Sequence, residues 1–266
     1  MTPTRALVLT GYGVNCDNET AWCLQRAGAE AVRVHLNDLA ADPAMLKEAA
    51  ILAVPGGFSF GDDIASGRVL ANRLRYRLGD PLLEFVTAGK LVIGICNGFQ
   101  VLVKMGMLPL TSHGFAQTVS ITHNSSGRFE DRWVNLAVTP DTPCVWLRGI
   151  ETIALPVRHG EGKFLARDAA VLEDLRGAGQ AALRYAAAEG DAAPAQGVYP
   201  ANPNGSQDDI AGICDPSGRV FGLMPHPEAF MDRVNHPRWT RLELPEEGAG
   251  LRIFRNAVEY AQAQGL

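Results

Sequence analysis

The sequence lacks several features that would assign a protein to a broad class. None of its apolar runs approaches the roughly 18 residues that a membrane-spanning helix requires. Positive charge is not in excess, because 24 Lys and Arg stand against 29 Asp and Glu, giving a net charge of -5 and a pI of about 5.7. This balance argues against nucleic acid or an anionic membrane as a partner. The N-terminus does not combine basic residues with a following long apolar segment, so no signal peptide is expected.

The cysteines are few, and their spacing matches no common disulfide or metal-binding motif. There are five cysteines, an odd number, and no two of them form a C-x-x-C pair: Cys16, Cys23, Cys96, Cys144 and Cys214. Neither a disulfide framework nor a zinc site is therefore indicated, and no metal is expected on this chain. The expected compartment is the reducing cytoplasm.

The composition and pattern of the first half predict an α/β fold. With 266 residues and 47 % hydrophobic content, the chain can bury one substantial core, and we expect a single domain over residues 1–266. Continuous apolar runs predict buried strands at 5–10, 31–36, 51–54 and 90–95. Between and after them, helices are predicted at 18–27, after Asp42-Pro43, at 68–78, at 81–88 and at 97–104. Such alternation is typical of a doubly wound, mostly parallel sheet.

The second half has a different pattern. Alternating apolar residues predict antiparallel strands on one face of the core at 116–122, 132–139 and 151–157. Strands at 210–214 and 220–224 flank the turn Asp215-Pro216-Ser217-Gly218 and predict a hairpin. Residues 186–206 are expected to form a loop. In residues 248–264 the apolar residues recur with a helical period, which predicts a helix.

The most informative stretch is the pentapeptide 94–98, GICNG, between a predicted strand and a predicted helix. A cysteine at the apex of such a sharp turn needs small neighbours, which Gly94 and Gly98 supply. The turn also places Cys96 at a helix N-terminus, which favours a thiolate. The competing interpretation is a buried structural cysteine.

Two glycines follow the third predicted strand at the same edge of the sheet. Gly56 and Gly57 would let a backbone N–H point into a site without hindrance, as an oxyanion hole requires. The alternative is a plain turn.

A histidine and a carboxylate follow the strand predicted at 220–224. Prolines on both sides of His226 keep this stretch extended, so that His226 and Glu228 lie on the same side. A carboxylate bound to one ring nitrogen fixes the tautomer and leaves the other nitrogen as a base. Together with Cys96 the pair predicts acyl transfer through a thiolate, although a structural histidine is the alternative.

These residues resemble the triad (class I) glutamine amidotransferases, and more narrowly the glutaminase subunits of phosphoribosylformylglycinamidine synthases. The resemblance runs from about residue 5 to residue 260. It is carried by PGGFSFGD at 55–62, GICNGFQ at 94–100, RHGEGKF at 158–164, NPNGS at 202–206 and GLMPHPE at 222–228.

The resemblance implies a flavodoxin-like fold and hydrolysis of glutamine to glutamate and ammonia. Cys96 would attack the carboxamide, and His226, oriented by Glu228, would protonate the departing ammonia. The resemblance also implies an oxyanion hole and a glutamine-binding site. Their residues would be Gly57 and Asn97 for the oxyanion hole, and Gly56 and Gln100 for glutamine.

The resemblance further implies partners. Ammonia would pass to a separate synthetase subunit, which converts formylglycinamide ribonucleotide to the amidine in purine biosynthesis. ATP and magnesium would bind that subunit, and a small third subunit would bridge the two. Phe60 departs from the family's usual tyrosine, and segments 165–200 and 229–248 look long, which puts the subunit interface in doubt.

Other functions remain open at this point. A cysteine hydrolase or thiol-stress protein could share the sheet, and a non-enzymatic scaffold subunit could keep the fold. His159 and Glu161 could line a partner interface or simply order a loop. Other residues are expected to be structural or to lie at the surface: Cys23, Cys144 and Cys214 in the core, and His35, His113, His123 and His236.

Overall fold

The computed structural model describes residues 3–110 and 115–266, and the expectation for His113 falls outside them. In the first half, strands alternate with helices as predicted. The strands are β1 (Arg5–Thr10), β2 (Glu30–His35), β3 (Ile51–Val54) and β4 (Leu91–Ile95). The helices are α1 (Asp17–Arg26), α2 (Leu36–Ala41), α3 (Met45–Glu48), α4 (Arg68–Thr87) and α5 (Asn97–Met105).

The second half is mainly strands. They are β5 (Val119–Thr122), β6 (Glu130–Val138), β7 (Thr152–His159), β8 (Lys163–Ala166), β9 (Leu183–Tyr185), β10 (Ile210–Cys214) and β11 (Val220–Leu223). In the described residues, the second half also contains the helices α6 (Ala169–Gly177) and α7 (Leu251–Gln264). Within the described part of the chain, no helix is both long and apolar enough to span a membrane.

Nine strands form one mixed sheet in the order β2-β1-β3-β4-β11-β10-β9-β6-β7. The pairs from β2 to β11 are parallel, and those from β11 to β7 are antiparallel. Strands β3 and β4 are buried along their whole length, as central parallel strands with helices on both sides should be. Helix α4 packs on α5, while α1 packs on α7. The predicted doubly wound sheet is confirmed.

Two details of the prediction for the second half are wrong. Strands β6 and β7 do not form a layer on one face of the core, since they continue the main sheet edge to edge beyond β9, a strand that was not predicted. Strand β5 is shorter than predicted and pairs with β8 in a separate two-stranded sheet. Alternating apolar residues reveal a half-buried strand but not which neighbour it pairs with.

Two helical predictions also need correction. The two helices expected at 68–78 and 81–88 are one helix, α4, with Pro81 inside it. Its buried face continues across the proline from Leu78 to Leu82 and Phe85, so packing holds the helix together where one hydrogen bond is missing. Helix α6 was not predicted, although Asp168 caps it by accepting a hydrogen bond from the Val171 N–H at 2.9 Å.

Candidate active site

Cys96 lies on the sharp turn that the sequence predicts. It has φ 50° and ψ -105°, between the end of β4 and the start of α5. The glycines beside it are required by close packing: a Cβ on Gly98 would lie 1.8 Å from the Val54 carbonyl oxygen. A Cβ on Gly94 would lie 2.7 Å from the Gly98 oxygen. A strained cysteine held this way is the arrangement of a nucleophile on an elbow.

His226 and Glu228 follow the strand next to the one that ends at Cys96. Strands β4 and β11 are paired in parallel, with Ile95 opposite Leu223, and the Cys96 N–H donates to the Leu223 oxygen at 2.8 Å. The carboxyl ends of the two strands therefore bring the cysteine and the histidine to the same edge of the sheet.

The His226–Glu228 pair is buried and tightly bonded. Nδ1 of His226 lies 2.5 Å from Oε1 of Glu228, and the two residues are 3 % and 1 % exposed. Burial alone would lower the pKa of His226, but the negative charge of Glu228, with a smaller effect of neighbouring Cys96, outweighs it and raises that pKa well above 6.5. The pair is thus arranged to hold a proton on the imidazole beside the cysteine.

The two backbone N–H groups expected to form an oxyanion hole are unused. Among the described residues, neither the Gly57 N–H nor the Asn97 N–H donates a hydrogen bond. Gly57 has φ 149°, and a Cβ there would lie 2.5 Å from the Gly13 oxygen, so only glycine fits. Free donors near the cysteine suit a developing oxyanion.

Gln100 is buried one helical turn beyond the cysteine and is tied to other protein groups. Its Nε2 donates to the Glu161 carbonyl oxygen at 2.5 Å, and its Oε1 accepts from Asn97 Nδ2 at 2.9 Å. Gly56 lies against the histidine, since a Cβ there would come within 2.9 Å of His226 Cε1. Both residues lie beside the proposed triad, but Gln100 bonds to protein in this state.

Residues 158–162 lie over the cysteine helix. Cys96 Sγ is 3.6 Å from the Arg158 carbonyl oxygen, and the Glu161 oxygen accepts from Gln100. His159 is 3 % exposed, with Nδ1 3.1 Å from Asn124 Oδ1. Burial, with a smaller effect of the charge on His226, lowers the pKa of His159 from 6.5 to about 3. The side chain of His159 is thus buried beneath this segment, with the Asn124 amide as the partner of its Nδ1.

Cys16 is a site residue that the sequence analysis missed. Its Sγ, one nitrogen of His226 and one oxygen of Glu228 all lie within 4.8 Å of one another. Burial raises the pKa of the Cys16 thiol. Its position in the loop after β1 could have indicated this, because that loop lies at the same carboxyl edge of the sheet as Cys96.

The remaining cysteines and histidines are structural or exposed where the structure describes them. The three other cysteines, Cys23, Cys144 and Cys214, are buried in the core. His35 caps α2 by accepting from the Asn37 N–H at 3.1 Å, and His236 packs on Trp133. His123 is exposed.

Comparison with known protein families gives a match over nearly the whole chain. Residues 3–261 match the CobB/CobQ-like glutamine amidotransferase domain. The chain is 48 % identical to "Phosphoribosylformylglycinamidine synthase subunit PurQ" of Dehalococcoides mccartyi, over 98 % of this chain and 99 % of that protein. It is 42 % identical to the protein of the same name from Methanococcus maripaludis, over 96 % and 97 % of the two.

A solved structure agrees with these sequence matches. The chain is similar to one in the structure of PurLQS from Thermotoga maritima, with a TM-score of 0.70 and 30 % identity. That comparison covers 97 % of this chain and 99 % of the other. Sequence and fold therefore point to the same family.

Proposed function

The chain belongs to the PurQ family of glutamine amidotransferase subunits, and from this membership and the geometry of its site we propose that it hydrolyses glutamine to supply ammonia for phosphoribosylformylglycinamidine synthase. The observation that supports it most directly is the buried His226–Glu228 pair, placed on the strand next to the elbow of Cys96. A nucleophile, a base and an orienting carboxylate in this relation perform acyl transfer.

The proposed reaction has two steps. Cys96 attacks the side-chain carboxamide of glutamine, while the N–H groups of Gly57 and Asn97 stabilise the oxyanion. His226, oriented by Glu228, protonates the departing ammonia. The histidine then takes a proton from water, which splits the glutamyl thioester and releases glutamate.

Glutamine must reach Cys96 beneath residues 158–162. We propose that the substrate replaces the contact between Cys96 Sγ and the Arg158 oxygen. The amide of Gln100, whose Nε2 donates to the Glu161 oxygen, then exchanges that bond for one to glutamine. Gly56, which packs directly against the imidazole of His226, is proposed to contact glutamine through its backbone.

The ammonia acceptor is proposed to be a PurL-like synthetase subunit, which makes formylglycinamidine ribonucleotide from formylglycinamide ribonucleotide and ATP. ATP and magnesium bind that subunit, and a small PurS-like subunit bridges the two. This proposal is supported by the similar chain in the PurLQS structure from Thermotoga maritima.

We also propose that residues 1–266 form one domain in the cytoplasm. Support for one domain comes from the main sheet, which runs without a break from β2 to β7 across both halves. A reducing compartment suits five free cysteines, including the proposed nucleophile.

The decisive experiment uses the assembled synthase with Cys96→Ala. We expect glutamine-dependent synthesis to be lost, while synthesis from free ammonia continues, because only the ammonia supply is removed. Cys23→Ala, a core thiol in α1, is the matched control and should keep both activities. Normal use of glutamine by the Cys96→Ala complex would rule out the proposed function.

The isolated chain should be a poor glutaminase. The loop from Phe58 to Gly67 beside Gly57 exposes Ile64, which is 88 % exposed, and holds it at φ 71°. We expect the partner to pack on this loop and complete the oxyanion hole. Glutaminase rates of the chain with and without synthetase test this, and a high rate from the chain alone would contradict it.

A further inference from the structure

Cys16 occupies a fixed position beside the histidine. Its backbone N–H donates to the Gly56 oxygen at 3.2 Å, and its carbonyl oxygen accepts from Thr20 Oγ1 at 2.6 Å. A Cβ on Gly56 would come within 3.3 Å of Cys16 Sγ and 2.9 Å of His226 Cε1. The glycine therefore allows the thiol and the imidazole to approach each other.

Three different metal-binding side chains meet at this point. Cys16 Sγ, a nitrogen of His226 and an oxygen of Glu228 lie within 4.8 Å of one another. In tetrahedral zinc sites, bonds of about 2.0–2.3 Å place neighbouring donors about 3.3–3.8 Å apart. A movement of about 1 Å by the side chains would therefore bring the three donors onto one ion.

Two atoms of this cluster are buried without a partner. Among the described residues, neither Glu228 Oε2 nor His226 Nε2 has a hydrogen-bond partner. Glutamine hydrolysis gives a role to Nε2, which faces the proton transfers, but none to Oε2. A buried carboxylate oxygen without a donor is costly, and a bound cation would relieve that cost. Cys16 Sγ donates a hydrogen bond to Asn15 Oδ1 at 3.3 Å, and a thiol is a weak donor, so little is lost when the thiolate binds a cation instead.

We propose that Cys16, His226 and Glu228 form a binding site for a thiophilic divalent cation, such as Zn²⁺ or Cd²⁺, and that the bound cation switches off the glutaminase. One thiolate, one imidazole and one carboxylate suit these ions, whereas Mg²⁺ and Ca²⁺ prefer oxygen donors alone. Binding releases two protons to solvent, one from the Cys16 thiol and one from the protonated imidazole of His226. Water or Cys96 fills the fourth position.

Inhibition follows because the cation takes two members of the triad, and this part rests on the proposed function. Coordination uses the Glu228 carboxylate that otherwise orients His226. It also fills a ring nitrogen, so the imidazole can no longer pass a proton between Cys96 and ammonia. The binding itself depends on no assumption about the reaction.

Binding is tested on the purified chain by titration with Cd²⁺, read from the ultraviolet thiolate-to-cadmium charge-transfer band. Cys96→Ala removes the nucleophile and is the background for the other variants. In that background we expect one ion per chain, and Cys16→Ala or Glu228→Gln should weaken its binding at least about tenfold. X-ray absorption of the zinc-loaded Cys96→Ala chain should show one sulfur and several nitrogen or oxygen neighbours.

The contrary results are equally specific. If Cys96→Ala abolishes the band while a single Cys16→Ala variant that retains Cys96 keeps it, the ion binds the nucleophile and the proposed site is wrong. Equal binding by all variants would place the ion elsewhere and would also overturn the proposal. Circular dichroism checks folding, and Cys16→Ser replaces Cys16→Ala if the latter does not fold.

Activity of the assembled complex tests the regulatory part separately. Zn²⁺ should inhibit glutamine-dependent synthesis and leave ammonia-dependent synthesis unchanged, with each variant compared with its own zinc-free rate. Cys16→Ser should need at least about tenfold more Zn²⁺ for the same inhibition. Tight binding without inhibition would disprove the switch but not the site, whereas failure of Cys96→Ala to block glutamine use would disprove the proposed function alone.

Discussion

The Sγ atom of Cys96 lies 3.6 Å from the carbonyl oxygen of Arg158, so the proposed nucleophile contacts the segment that lies over it. The same segment binds Gln100 through the Glu161 oxygen. These two contacts join the cysteine helix to the end of β7 and the residues that follow it, and the proposed binding of glutamine displaces them. The residues that hold this segment in place should therefore affect glutamine hydrolysis without touching glutamine.

Asn124 is the residue that holds the segment. Its Nδ2 donates to the His159 oxygen at 2.8 Å, and its Oδ1 accepts from the Gly162 N–H at 2.9 Å. Asn124→Ala should lower glutamine-dependent activity of the complex at least about tenfold and lower the free energy of unfolding by about 1–3 kcal/mol, because buried groups lose their partners. Asn72→Ala, at an exposed position in α4, is the control. Wild-type kinetics in Asn124→Ala would show that the segment does not need this anchor.

The hydrogen bond between His226 and Glu228 predicts a large effect of Glu228→Gln. The amide of glutamine cannot stabilise the imidazolium and allows the wrong tautomer. The corresponding Asp→Asn substitution in the serine-protease triad lowers kcat by about 10⁴. We expect a loss of about 10²–10⁴ in glutamine-dependent kcat/KM, with ammonia-dependent synthesis unchanged. The exposed Glu84→Gln in α4 should retain full activity.

The same variant has a second readout in its pH profile. The charge of Glu228 raises the pKa of His226, so its removal should shift the histidine-controlled limb of kcat/KM to lower pH. A large loss of rate with no shift would mean that Glu228 acts in another way.

The triad candidates could be predicted because each lies in a short local pattern. Cys96 sits between two glycines after an apolar strand, and His226 is followed two residues later by its carboxylate. Parallel strands then bring the two patterns together by a general rule. Local sequence was sufficient here because each strand carries its own functional residue at its end.

Residues that act through distant contacts could not be predicted in this way. Cys16 and Asn124 stand in no distinctive pattern, and their partners lie far along the chain at His226 and His159. Pairing of β6 with β9 was hidden for the same reason, since strand alternation does not identify the neighbour. Continuation of α4 through Pro81 depends on packing against the core, which overrides local propensity.

His159 should make stability depend on pH in the acidic range. Its pKa is lowered to about 3 in the folded chain against 6.5 when exposed, so between these values the unfolded chain binds one more proton. Its contribution to stability is complete above pH 6.5 and is lost as the pH falls toward 3, by up to about 1.4 kcal/mol per pH unit. The raised pKa of His226 makes stability depend on pH only above pH 6.5, so it does not affect the range between pH 3 and 6.5.

Urea unfolding at several pH values between 4 and 7 measures this contribution. His159→Gln should flatten the pH dependence relative to the wild type, because it removes the group that protonates only on unfolding. His123→Gln, at an exposed position, should keep the wild-type slope. Parallel curves for His159→Gln and the wild type would show that His159 is not held neutral by the fold.

The close packing at the turn that carries Cys96 predicts that Gly98→Ala is destabilising, whereas an alanine at an uncrowded glycine elsewhere should be tolerated. A Cβ on Gly98 would lie 1.8 Å from the Val54 carbonyl oxygen, which is backbone of a buried strand and cannot turn aside. Gly98→Ala should therefore push α5 away from β3, cost about 1–3 kcal/mol or more, and abolish glutamine-dependent activity because Cys96 moves with the helix. Gly177→Ala is the matched control, since a Cβ there meets nothing within 4 Å at the end of α6.

This prediction is tested by measuring the thermal unfolding and the glutamine-dependent rates of the two variants in the complex. Gly177→Ala should unfold at the same or a higher temperature, with a gain of up to about 1 kcal/mol from helix propensity, and should retain full activity. If Gly98→Ala were as stable and active as Gly177→Ala, then β3 and the cysteine helix would not need to approach so closely. The tight elbow would then have no part in positioning the nucleophile.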